Sequence, residues 1–98
     1  MTAEQGAPGH PCETVLTILN RRGLHARASA KFVSVAEKFD SAIKVSKDGT
    51  SVSGTSIMGL MMLAAAPGDQ IMIRCEGAQA DEALAALQAL VEDKFGED

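Results

Sequence analysis

Apolar and polar positions alternate along this chain with two periods. From Glu13, the stretch ETVLTIL is β-branched and aliphatic, the composition of a strand. Its alternation is imperfect, because Leu16 and Ile18 share one face while Val15 and Leu19 share the other. NRRG then predicts a turn. In LHARASAKFVSVAEKF, the residues Ala28, Phe32, Val35 or Ala36, and Phe39 recur at helical spacing, and Asp40 and Ser41 end that helix. AIKVSKDGTSVSG predicts a hairpin. Ile43 and Val45 alternate with Lys44 and Ser46, and Asp48-Gly49 marks the turn. TSIMGLMMLAAA predicts a short apolar helix stopped by Pro67-Gly68. QIMIRCE is a strand with Ile71 and Ile73 on one face. From Asp81 to Phe95, Ala83, Leu84, Leu87, Leu90, Val91 and Phe95 form a continuous stripe, which predicts a helix ended by Gly96.

The resulting order, β-α-β-β-α-β-α, predicts an α+β domain: a four-stranded sheet with helices covering one face. A chain of 98 residues holds one such domain. Residues 1–11, rich in Gly and Pro without apolar periodicity, read as a flexible tail, with the domain spanning 12–98. Hydrophobic residues make up 46%, yet there are only three Phe and no Trp or Tyr, so aliphatic side chains, Met and Ala must build the core. The net charge of −4 argues against nucleic acid as a partner. No apolar run approaches the roughly 20 residues that span a bilayer. The opening MTAEQGAPGHPCE lacks the basic-then-apolar pattern of a secretory leader. Cys12 and Cys75 are not spaced as a disulfide scaffold, and the expectation is a cytoplasmic protein with reduced thiols.

The chain has two histidines. His10 sits in the tail beside prolines and reads as a solvated residue. His25 stands where the turn Arg22-Gly23-Leu24 enters the first helix. A helix start offers unpaired N–H groups and the positive end of a dipole, a ready site for an anion such as phosphate. Arg27 adds a permanent charge with a fork of donors suited to phosphate oxygens. A neutral imidazole is itself a nucleophile. The same residues also admit a plainer role, with His25 capping the helix and Arg27 merely solvated. They admit too a small anion-binding regulatory domain in which His25 is never covalently modified. A metal site built from His10, Cys12, His25 and Cys75 has no recognised zinc spacing, so no metal or other cofactor is expected. Ser56 precedes an apolar helical run and reads as its N-cap. Ile57, Met58, Leu60, Met61, Met62 and Leu63 are too many apolar residues for one buried stripe on so short a helix. The surplus is either extra core, where Met fills gaps, or a docking patch.

GLHARASAKF, residues 23–32, closely resembles the active-site segment of the HPr family, the histidine phosphocarriers of the phosphoenolpyruvate-dependent phosphotransferase system. TSIMGLMML, residues 55–63, is similar to that family's second signature, which carries a regulatory serine. The resemblance covers about residues 13–95, with both motifs in the family's order and separation. It implies an open-faced β-sandwich of four antiparallel strands and three helices. It implies a carrier rather than an independent enzyme, with His25 phosphorylated on Nδ1 by Enzyme I and Arg27 beside the ring. The phosphoryl group would pass to an EIIA-type protein. Ser56 would be the target of a dedicated HPr kinase, Ile57, Met58 and Met61 the docking patch, and the working form a monomer. There are two departures. Ala28 stands where the family usually has Pro, and Thr55 where carriers of the sugar branch often have Lys. Both point toward the nitrogen-related regulatory branch, leaving the choice between sugar uptake and regulation open.

Overall fold

A computed structural model describes residues 11–97. Its elements are β1 (Cys12–Thr17), α1 (Ala26–Ala36), β2 (Ala42–Lys47), β3 (Thr50–Ser53), α2 (Ile57–Met62), β4 (Gln70–Glu76) and α3 (Ala80–Glu92), followed by a 3-10 turn at Lys94–Gly96. The tail expected over 1–11 lies outside the described residues except for Pro11, which is exposed and precedes β1.

The strands form one antiparallel sheet in the order β1-β4-β2-β3. Its covered face carries Leu16, Ile43, Val45, Ile71, Ile73 and Cys75, all buried. The imperfect alternation of the first strand resolves on this basis. Leu16 and Ile18 point into the core, whereas Val15 and Leu19 remain 55% and 47% exposed. On the open face Arg74 reaches across to Glu13 at 3.1 Å. The β2–β3 turn uses Asp48 and Gly49 with φ of 51° and 83°, the paired left-handed conformation that matches the twist of a hairpin.

Against the covered face, α1 buries Ala28, Phe32, Val33 and Ala36, and α3 buries Ala83, Leu87 and Val91. The scarce aromatic residues are placed centrally: Phe32 and Phe95 are the largest fully buried side chains. Each contributes about 1.5–3 kcal/mol through burial.

Two helix ends differ from the sequence expectation. α1 stops at Ala36, and Phe39 packs against the core from the following turn. α3 stops at Glu92, three residues before Phe95. Lys94, Phe95 and Gly96 take φ of 56°, 56° and 74°. A left-handed non-glycine residue costs about 1–2 kcal/mol. Burial of the Phe95 ring and a 2.7 Å hydrogen bond from Lys31 Nζ to the Phe95 carbonyl offset that cost. The reversal turns the end of the chain back toward the start of α1.

Candidate functional site

The approach to α1 is fixed by its backbone. After β1, the Ile18 N–H donates to Asp69 O at 2.8 Å, and the Leu24 N–H donates to Ala65 O at 3.0 Å. Gly23 lies between them with φ of 65°, pressed so closely on the Ala65 carbonyl that a Cβ would collide with it. Asn20 is fully buried and spans this turn, donating from Nδ2 to Gly23 O at 2.8 Å. The chain therefore enters α1 along one path.

His25 is the N-cap of α1. Its carbonyl accepts from the Ser29 N–H at 2.9 Å, and its Nδ1 accepts from the Arg27 N–H at 3.2 Å. The other ring nitrogen, Nε2, lies 2.6 Å from Glu97 Oε2. A backbone N–H can only donate, so Nδ1 presents its lone pair. A carboxylate can only accept, so Nε2 carries the hydrogen. The two contacts select one tautomer of the neutral ring. The plain capping role and the nucleophilic role thus fall on the same atom, because the lone pair that caps the helix is the one that could attack.

Glu97 is held from three sides. Asn20 Nδ2 donates to its Oε1 at 3.1 Å, His25 holds Oε2, and the charge of Lys31 lies nearby. Burial pushes its pKa up, but the hydrogen bonds from Asn20 and His25, with electrostatic attraction to the His25 ring and to Lys31, outweigh burial and hold the carboxyl below its usual value. Arg21, Arg22, His25, Arg27 and Glu97 line an open cleft of about 340 Å³. Among the described residues none of these guanidinium groups forms an ion pair. The cleft therefore offers concentrated positive charge to an incoming anion.

The structure brings His25 and Arg27 together as the sequence implies, and adds Arg21, Arg22, Asn20 and Glu97. The Arg21-Arg22 pair beside the histidine segment was a visible signal. Nothing local marked Glu97, which is 72 positions away and reaches His25 only through the left-handed turn. Ser56 does not line the cleft. It caps α2, its Oγ accepting from the Gly59 N–H at 2.9 Å. Ile57, Met58 and Met61 are 41%, 69% and 39% exposed, on a helix that packs against α1. Ala28, at the family's proline position, sits fully buried in the first turn of α1. His10 lies outside the described residues, and among those described no group of three or more His, Cys, Asp or Glu could hold a metal. Cys12 and Cys75 face each other across β1 and β4, at the end of the sheet opposite His25.

A family model for the phosphorylation site of the phosphotransferase-system HPr component matches residues 12–93, nearly the whole described chain. The chain belongs to the HPr family. A phosphocarrier protein HPr of Cupriavidus necator is 48% identical over 81 residues, covering 83% of this chain and 91% of that one. A crystal structure of an HPr from Thermoanaerobacter tengcongensis superposes with a TM-score of 0.85 at 45% identity, covering 89% of this chain and 98% of the other. A dimeric HPr structure from the same organism gives 0.71 at 46% identity, covering 84% and 94%. The four-stranded antiparallel sheet and three helices are those of HPr structures. As a member of the HPr family the chain is a phosphocarrier of the phosphotransferase system, not an independent catalyst.

Proposed function

We propose that His25 is the residue that carries the phosphoryl group, taking it from phospho-Enzyme I on Nδ1 and passing it to an EIIA-type protein. The observation that supports this most directly is the Nδ1 lone pair, held at the N-terminus of α1 beside Arg27. In the transfer, this lone pair attacks the donor's phosphorus in line. A bond forms between Nδ1 and phosphorus, and the donor's bond to phosphorus breaks, its electron pair leaving with the donor. The Arg27 N–H gives up its 3.2 Å contact with Nδ1 and becomes available to a phosphoryl oxygen. The exposed Arg27 guanidinium, with Arg21 and Arg22, supplies positive charge to the equatorial oxygens. An open cleft holds the group without burying it, which suits a carrier that must release what it accepts.

The apolar residues Ile57, Met58 and Met61 form the docking patch in this reading. Their exposure, on a helix that packs against α1, gives a partner an apolar anchor on the neighbour of the helix that His25 caps. Ser56 stands at the edge of that patch. Phosphorylation there by an HPr kinase would exchange the cap on Gly59 for a charge of about −2 at the docking surface. The working form is a monomer in the cytoplasm, and Ala28 and Thr55 favour the nitrogen-related regulatory branch.

Incubation with Enzyme I and phosphoenolpyruvate tests the proposal. Acid-labile, base-stable phosphate is expected on the wild type and none on His25→Ala. Absence of label on the wild type, or label that survives His25→Ala, would contradict it. A protein that only bound free anions would keep much of its function as His25→Gln, since the N–H groups of α1 remain; a carrier loses all of it.

A further inference from the structure

We propose that Cys12 and Cys75 form a reversible disulfide site, closed by a small-molecule disulfide and reopened by excess thiol, that staples the edge strand β1 to β4.

The sheet brings together two residues that lie far apart in sequence. They are the only cysteines of the chain, and they stand directly opposite each other in the antiparallel ladder between β1 and β4. Opposed residues share one face of the sheet and lie about 4.5–5.5 Å apart at Cα, within the roughly 4.4–6.8 Å that a disulfide spans. Here the shared face is the covered one: Cys75 is fully buried and Cys12 is half-buried against the same core. The Cβ atoms of such a pair are about 4.5–5.5 Å apart, and a disulfide draws them to about 3.8 Å. Closure therefore asks for a movement of about 1 Å. Cys12 is placed to make it, as the first residue of a strand that has a neighbour on one side only. Strand ends of this kind shift most readily.

Unequal access sets the order of the chemistry. Cys75 has no exposed surface, so it reaches neither a small oxidant nor a second chain, and Cys12 is its one available partner. Cys12 meets the oxidant first. Its thiolate attacks one sulfur of the small disulfide; that S–S bond breaks, and one thiolate leaves. The Cys75 thiolate then attacks Sγ of Cys12, the bond to the small molecule breaks, and a second thiolate leaves. The two cysteine protons end on the two released thiols, and the small disulfide has taken up both electrons. The surroundings make this exchange slow. Burial and Asp81, in the first turn of α3, raise the Cys12 pKa. Burial and the neighbouring Cys12 push Cys75 up to about 11, although Ser41 acts in the opposite direction. Both thiols stay protonated near neutral pH, so the reduced pair persists until an oxidant is sustained.

The test incubates the full chain with oxidised glutathione, then follows free thiols, mass, peptide maps and thermal unfolding. The expected product is a monomer that has lost both free thiols and two hydrogens, with Cys12 linked to Cys75. Its melting temperature should rise by about 10 °C, because the link closes a long loop in the unfolded chain, and dithiothreitol should reverse the rise. Cys12→Ser, which leaves the buried cysteine in place, should show neither the link nor the rise. Glutathione retained on Cys12, a disulfide-linked dimer, or survival of both free thiols would overturn the inference. So would an oxidised chain that melts no higher than the reduced one, or an equal rise in Cys12→Ser.

Discussion

Asn20 is neutral and unreactive, yet its side-chain amide joins the turn before α1 to the end of the chain through Gly23 O and Glu97 Oε1. Its Oδ1 is buried with no partner among the described residues, so the side chain is retained at some cost for what its Nδ2 does. Asn20→Ala is expected to loosen both the turn and the Glu97 contact, losing about 1–3 kcal/mol in denaturant unfolding. The linkage at Glu97 has a definite sign. Its folded pKa is depressed, so its contribution is present above the usual carboxylate range and is lost as pH falls through the folded value. Glu97→Gln is therefore predicted to narrow the stability difference from the wild type as the pH of the melts is lowered. The cysteines behave in the opposite sense. Burial, together with the neighbouring Cys12, pushes the Cys75 thiol up to about 11, and burial and Asp81 raise Cys12 as well. Native protein at pH 8 should react slowly with iodoacetamide, with half-buried Cys12 modified before Cys75; fast labelling of Cys75 would contradict this burial.

At the scale of elements, strand and helix identities were readable because apolar spacing reports directly on burial. The α1 stripe of Ala28, Phe32 and Ala36, the Asp48-Gly49 turn and the Ser56 cap all stand where the pattern puts them. The end of α3 was not readable. Phe95 falls on the helical stripe and is indeed buried, but it reaches the core from a left-handed turn. Spacing records which side chains are buried and not the hand of the backbone that delivers them. Phe95→Ala should cost about 3–5 kcal/mol by leaving a cavity and, by releasing the turn, should also slow phosphorylation. Ala28→Pro addresses the departure from the family. Position 28 is in the first turn of α1, where an N–H has no partner four residues back, so the substitution should change stability by less than about 1 kcal/mol and leave His25 labelled.

For the whole molecule, the sheet leaves one face open while the candidate site residues His25, Arg27 and Glu97 gather at one end, where the start of α1 meets the returning C-terminal turn. Of the candidate site, His25 with Arg27 was legible because both lie in one short segment. Glu97 and Asn20 were not, because a contact across 72 positions leaves no local trace. Met58→Asp on the exposed patch is predicted to leave the melting temperature unchanged while weakening productive encounter with Enzyme I, seen as a raised KM for the carrier. The role of His25 is tested most directly by phosphorylating 15N-labelled protein with Enzyme I and phosphoenolpyruvate and reading which nitrogen couples to phosphorus. Phosphorus is expected on Nδ1 of His25, with Nε2 still bearing hydrogen. Phosphorus on Nε2, on any other residue, or nowhere would contradict it.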